Sequence, residues 1–263
     1  MSLLQPRPRS GPLGRVNPVA KLGAGLLIAF PLILSVDWVS AVTALILEVP
    51  LMLLAGLRWR EFWVRTAPVW IAAPLTGVTI ALYGEASGQV HFQWLFVHIS
   101  DGSLSLAMAA VFRIIAIALP GVALFATVDP TDLADGLSQR VRLPARFVLG
   151  ALGGLRLVGL LVDDWRELEL ARRARGVADT GRLRRLGGMA FALIVLAIRR
   201  GSTLATSMEA RGFGAPTPRT WARVSPWTWR EWTLLLAGAA ISSTAVAVAV
   251  ATGSWNLILG DGA

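Results

Sequence analysis

Apolar residues run along this chain in long stretches, and charged residues gather in the gaps between them. A helix needs roughly 17–25 mostly apolar residues to cross about 30 Å of hydrocarbon. Five stretches meet that length, at residues 19–36, 39–57, 67–83, 104–128 and 232–252. Two others fall short: residues 147–162 are interrupted by Arg156, and residues 186–198 are closed by Arg199 and Arg200. Those lengths suit helices lying on or just inside a membrane face better than spans. The pattern predicts an all-α integral membrane protein, with five transmembrane helices and about three amphipathic helices between the fourth and the fifth.

Between those last two spans, Asp129-Pro130-Thr131-Asp132 reads as a helix start, with Asp at the N-cap, Pro at N1 and a second acid in the first turn. A short helix with Leu133 and Leu137 on one face is expected to follow. Arg142-Leu143-Pro144 breaks the chain. No further proline interrupts residues 145–175, a helix of roughly 45 Å at 1.5 Å per residue. Its first half is apolar and carries Gly150, Gly153, Gly154 and Gly159, which permit close crossing of another helix, and its second half is polar. Gly176 ends it, and residues 181–185 read as a basic linker. A third helix is expected from about residue 186 to residue 211, stopped by Gly212 and fenced by Gly214, Pro216 and Pro218. The expected division is residues 1–128 for the N-terminal tail and four spans, 129–230 for the helical insert, and 231–263 for the fifth span and its tail.

Composition sharpens this reading. The 263 residues are 55% hydrophobic and 16% charged, against about 25% charged in soluble domains, and the mean hydropathy is +0.62. There is no cysteine, which excludes disulfides, thiolate zinc sites, iron–sulfur clusters and a cysteine nucleophile. Lys21 is the only lysine and follows no glycine-rich phosphate loop, so ATP, if it is used, is bound by another subunit. The net charge of +9 is unevenly spread: residues 140–230 hold 17 arginines and 6 acidic residues, and the rest of the chain nets −2. Such an insert suits anionic lipid or an acidic protein surface better than nucleic acid, because its arginines alternate with apolar runs rather than with stacking aromatics.

Lys and Arg in short loops also set orientation. Arg58, Arg60 and Arg65 lie between the second and third spans, and Arg7, Arg9, Arg15 and Lys21 lie at or before the start of the first. The turn at Asp37 and residues 84–102 carry neither residue type. The N-terminus and the insert are therefore expected inside and the C-terminus outside. A signal peptide is the competing reading of the first run, which Pro31 and Asp37 fit poorly.

A few polar residues stand out against this background. Glu48 and Arg113 fall within the second and fourth spans, where charges usually face a partner inside the bundle. They are candidates for a mutual ion pair, with a structural role favoured over a transport pathway. His91, His98 and Asp101 fall in an external loop; the spacing of the two histidines matches no metal-ligand motif, and a solvated loop is the favoured reading. Trp221, Trp227, Trp229 and Trp232 cluster before the fifth span, where an interfacial belt is expected.

Both long helices of the insert end in the same triplet, Ala174-Arg175-Gly176 and Ala210-Arg211-Gly212, 36 residues apart. One such triplet would read as an ordinary helix end, with glycine past the last turn and a cation near the dipole's negative pole. Two of them, each closing a long amphipathic helix, are a more specific signal. Arginine presents a planar five-donor fork to carboxylates or carbonyls, alanine permits close approach, and glycine lets the chain turn away.

With these residues the chain resembles the transmembrane T component of energy-coupling factor transporters. Met208-Glu209-Ala210-Arg211-Gly212-Phe213-Gly214 is similar to that family's second Ala-Arg-Gly signature. Residues 171–176 are similar to the first, made more basic by Arg172 and Arg173. Asn17-Pro18-Val19-Ala20-Lys21-Leu22 resembles the family's Pro-x-x-Lys-Leu opening, and Thr127-Val128-Asp129-Pro130 stands where a similar turn closes the fourth span. The resemblance implies a non-catalytic subunit of a bacterial or archaeal cell membrane with no cofactor of its own. It implies that each signature docks one of two ABC-type ATPase subunits, with Arg172, Arg173, Glu209 and Phe213 supporting the docking surface. It further implies that a separate small membrane subunit binds the vitamin or metal ion carried. Two rivals remain. An integral-membrane enzyme transferring a phosphoalcohol would need Asp-Gly-x-x-Ala-Arg, whereas Asp135-Gly136 is followed by Leu137-Ser138-Gln139-Arg140. A self-sufficient channel or secondary transporter would be expected to show inverted repeats with paired helix breaks, and none is evident.

Overall fold

In a computed structural model, residues 11–84, 89–94, 97–176, 181–215 and 220–256 are described. A single 3-10 turn, Pro12–Arg15, leads into α1 (Pro18–Leu34), α2 (Trp38–Leu54), α3 (Trp59–Tyr83) and α4 (Asp101–Phe125). The helices α5 (Pro130–Gln139), α6 (Ala145–Ala174), α7 (Arg182–Ala210) and α8 (Trp229–Ala251) follow. Local chemistry accounts for most of the boundaries. Asn17 Oδ1 accepts from Val19 N at 3.0 Å with Pro18 opening α1, and Asp37 Oδ2 accepts from Ser40 N at 2.6 Å at the start of α2. Ser100 and Ser103 cap each other reciprocally at the start of α4. Asp129 Oδ1 accepts from Thr131 N at 2.7 Å, so the helix start expected at Asp129-Pro130 forms. The break expected at Arg142-Leu143-Pro144 forms as well, with Arg142 at φ 59°.

The chain divides into two compact units. The first comprises residues 6–133 and 226–263, within which α1, α2, α3, α4 and α8 are described. These are the five helices read as spans. α4 lies against α1, α2 and α3, and α8 lies against α1 and α2. Small residues fill the contacts: Ala20, Ala24, Ala41, Ala44, Ala116, Ala123, Ala245 and Ala249 are all buried. In a bilayer, where lipid is as apolar as leucine, such residues let backbones approach and gain dispersion contacts. The closest approach is at Gly238, where an added Cβ would lie 3.1 Å from the Ala24 carbonyl oxygen and 3.2 Å from its Cα. Leu26, Phe30, Ile33, Ile46 and Leu53 point outward, as lipid-facing residues do.

The second unit contains residues 134–225 and is built on α6 and α7. Here the structure corrects the sequence reading. Residues 181–185 are not a linker: α7 begins at Arg182, with Gly181 as its N-cap. Arginines in a first turn oppose the helix dipole, and a 2.6 Å ion pair between Arg185 and Glu169 offsets that cost. The long helices expected at residues 145–175 and 186–211 do form, as α6 and α7 of 30 and 29 residues, and the two apolar runs too short to span lie within them. By length and composition, α3, α4, α6, α7 and α8 are long and apolar enough to cross a membrane, while α1 and α2 have 17 residues each. A further difference lies between α3 and α4, where the loop contains a hairpin. β1 (Val90–Trp94) pairs antiparallel with β2 (Val97–Ser100), with Trp94 opposite Val97. The alternation Val90-His91-Phe92-Gln93-Trp94 has the period of a strand.

Candidate functional site

α6 and α7 form an antiparallel pair. Contacts run from Gly153 against Leu204, through Asp164 and Arg200 at 2.8 Å, to Arg172 beside Gly188 and Glu169 with Arg185. Asp164 is buried, with Oδ1 taken by Arg200 and Oδ2 without a partner. Met189 of α7 is buried as well.

The antiparallel run puts the two Ala-Arg-Gly ends at opposite ends of the pair. At 1.5 Å per residue they are separated by up to about 40 Å along the axes. Both ends have the same local form. Arg175 and Arg211 are the C-cap residues, at φ −87° and −89°. Gly176 and Gly212 follow at φ +69° and +77°, a left-handed conformation that a side chain would strain. At the α7 end, Gly212 N donates to Glu209 O and Phe213 N donates to Met208 O, both at 2.9 Å. At the α6 end, Gly176 N donates to Arg173 O at 3.0 Å. The caps leave Ala174, Arg175, Gly176, Ala210, Arg211 and Gly212 all exposed.

The supporting residues divide. Arg173 is exposed and pairs with Glu169 at 2.7 Å along its own helix, while half-buried Arg172 lies against Gly188 of α7. Arg172 therefore adds to the α6–α7 contact as well as to the charge, whereas Arg173 ties only its own helix. Glu209 is exposed and Phe213 half-buried. Arg146 and Arg156 were missed as site residues. They line a groove of about 940 Å³ with Arg211, over Leu149, Leu152, Leu204 and Met208. Arg156 had read only as an interruption of an apolar run; its convergence with Arg211 depends on α7 folding back, which no local pattern announces.

A family model described as cobalt transport protein, CbiQ, matches residues 9–221. The chain belongs to the CbiQ family. Relatives of this CbiQ-family chain named energy-coupling factor transporter transmembrane protein EcfT include one from Brevibacillus brevis, 27% identical over 83% of this chain and 87% of its own length. One from Limosilactobacillus fermentum is 28% identical over 65% of this chain and 68% of its own length. Another, from Listeria innocua, is 24% identical over 88% and 91%.

The two remaining stretches that carried the family resemblance meet in the membrane unit of this CbiQ-family protein. Lys21 Nζ donates to Thr127 Oγ1 at 2.8 Å and to Thr127 O at 3.4 Å, tying the start of α1 to the end of α4. Beside it, Asn17 N donates to Glu231 Oε1 at 3.0 Å and Asn17 Nδ2 to Pro226 O at 2.9 Å, tying α1 to the start of α8. Glu231 was missed, although Thr228 three residues before it has capping-box spacing, and Thr228 N donates to Glu231 Oε2 at 2.6 Å.

The candidate pair of Glu48 and Arg113 does not form. Glu48 is fully buried with neither carboxylate oxygen bonded, and Arg113 donates instead to the carbonyl of Ser35. Ser35 is the C-cap of α1, so Arg113 is met by a backbone carbonyl at the α1–α2 turn rather than by the carboxylate of Glu48. The side chains of His91 and His98 lie outside the described residues. Among those described, no group of three His, Cys, Asp or Glu residues could hold a metal ion. Trp229 and Trp232 are exposed, and Trp227 packs edge-on to Trp232 at 6.0 Å, as in an interfacial belt.

Proposed function

We propose that this chain is the transmembrane coupling subunit of an energy-coupling factor importer, passing the motion of two ABC-type ATPase subunits to a small substrate-binding membrane subunit for vitamin or metal-ion uptake. One observation carries the reading: two identical exposed Ala-Arg-Gly ends stand at opposite ends of one antiparallel helix pair. A single docking point could hold one ATPase but could not engage two at once. Two equivalent points, separated by up to about 40 Å, suit two copies of one kind of partner. Each arginine is held at a helix end by a glycine cap, so little rotational freedom of the backbone is lost on docking. The EcfT names of the relatives are in keeping with this role.

The outer faces of α6 and α7 fit the second half of the proposal. Phe147, Leu155, Phe191, Ile194 and Ile198 are exposed. An apolar surface of this kind calls for lipid or a membrane partner. Because the chain's own spans offer few polar groups that could specify a ligand, substrate selection is assigned to the separate subunit.

The test is co-purification of ATPase subunits together with ATP-dependent uptake. Arg175→Ala or Arg211→Ala alone is expected to leave assembly partly intact and to lower uptake, since the second contact keeps the partner at high effective concentration. The double variant is expected to release the ATPases. Lysine at either position is expected to rescue poorly, because an ammonium cannot reproduce the planar fork. Retention of both ATPases and full uptake by the double alanine variant would reduce the triplets to ordinary helix caps.

A further inference from the structure

The end of the membrane unit that carries Arg58 and Arg60 holds a second groove, of about 740 Å³, bounded by the 3-10 turn, the last turn of α2 and the first turns of α8. Its volume falls in the roughly 300–1,000 Å³ range of small-molecule sites. Leu51, Leu54, Leu234 and Ala237 give it an apolar wall, and Arg15 and Arg230 stand in the same lining. Neither arginine has a carboxylate partner among the described residues. Glu231, next in sequence to Arg230, is buried and engaged by Asn17 and Thr228. Leu54, Trp229, Arg230 and Thr233 are exposed, so the groove opens on the outer surface of the bundle. The Arg230 guanidinium lies 5.9 Å from the Trp229 ring, which limits its freedom.

Two cations beside an apolar slot at the end of a membrane-spanning bundle match an amphiphile with a negative head. We propose that this groove binds one anionic phospholipid, its phosphate between Arg15 and Arg230 and one acyl chain along Leu51, Leu54, Leu234 and Ala237. Charge selects the occupant, since Arg15 and Arg230 give the groove a positive end. It also argues against a zwitterionic lipid, whose ammonium would meet the two guanidinium groups. Nothing in the coupling role requires such a site, so the inference stands apart from it.

The experiment follows lipid retained by the full chain, purified through detergent from membranes containing phosphatidylglycerol and phosphatidylcholine, by native mass spectrometry. Wild type is expected to keep one phosphatidylglycerol preferentially. An arginine near an anionic surface contributes roughly a fivefold gain in binding, so Arg15→Gln with Arg230→Gln is expected to lower that retention roughly 25-fold. Arg58→Gln with Arg60→Gln removes the same charge outside the groove and is expected to leave retention unchanged. Thr233→Trp fills the groove with both arginines kept and is expected to abolish retention too, which covers the case of a poorly folded double variant. Equal loss in the control pair, equal retention of phosphatidylcholine, or full retention by Thr233→Trp would each overturn the proposal. So would a photoreactive residue at position 233 that crosslinks to protein instead of lipid.

Discussion

Burying an ammonium is costly unless hydrogen bonds replace its water, and Lys21, the chain's only lysine, is 1% exposed. Its position is explained by Thr127, which offers both a hydroxyl and a carbonyl oxygen. A hydrogen bond to a charged group contributes about 1.5–3 kcal/mol, so Lys21→Met is expected to lower stability by about that much. Thr127→Val is expected to cost a similar amount, and the double variant less than the sum, as residues sharing one contact do. Thermal unfolding of the four proteins in detergent measures that coupling; strict additivity would mean that the bond contributes nothing. Glu48 calls for the opposite expectation. Breaking a buried ion pair at one partner costs about 3–5 kcal/mol, but Glu48 has no partner to lose. Glu48→Gln is therefore expected to leave the unfolding temperature unchanged or raise it, and a loss of ion-pair size would restore the pairing with Arg113. The sequence shows two opposite charges within apolar runs and nothing of the distance between them.

At the scale of helices, the start of α5 was legible because its cap is local: Asp129-Pro130 announces it within two residues of chain. The start of α7 was not, because what stabilises Arg182–Arg185 as a first turn is Glu169, on another helix and 16 residues from Arg185. The hairpin was hidden for a different reason: a short alternating run among longer apolar ones has little weight until it is paired. Helix crossings leave a fainter trace, since glycines mark many positions and the structure uses few of them. Gly150, Gly154 and Gly159 face open space, whereas Gly238 sits against the Ala24 backbone. Gly238→Ala is accordingly expected to destabilise the α1–α8 contact by about 1–3 kcal/mol, the usual cost of overpacking. Gly154→Ala is expected to be neutral or slightly stabilising through helix propensity. Melting temperatures of the two variants, measured side by side, test the crossing; equal effects would remove it.

At the scale of the whole molecule, length and composition admit α6 and α7 as spans, while the proposed coupling role keeps them on one side of the membrane. Charge favours the second of these arrangements. With the N-terminus inside, α1 to α4 return the chain to the inside before α6 begins. If α6 then crossed, the segment joining it to α7 would lie outside with Arg172, Arg173, Arg175, Arg182, Arg184 and Arg185. Six arginines in so short an external connection run against the positive-inside rule, from which the orientation of the other loops is read. The antiparallel pairing makes the difference measurable. As a spanning hairpin, α6 and α7 would present positions 175 and 211 on opposite sides of the membrane; as coupling helices they present both on the inside. The chain has no cysteine, so single cysteines at 175 and 211 can be labelled with a membrane-impermeant maleimide in intact cells and again after permeabilisation. Both positions are exposed in the chain by itself, so in cells expressing it without ATPase subunits reactivity reports side rather than burial. Both are expected to stay unlabelled until the cells are opened. Labelling of position 175 from outside, with 211 protected, would establish the hairpin and remove one of the two docking ends from the reach of any cytoplasmic ATPase.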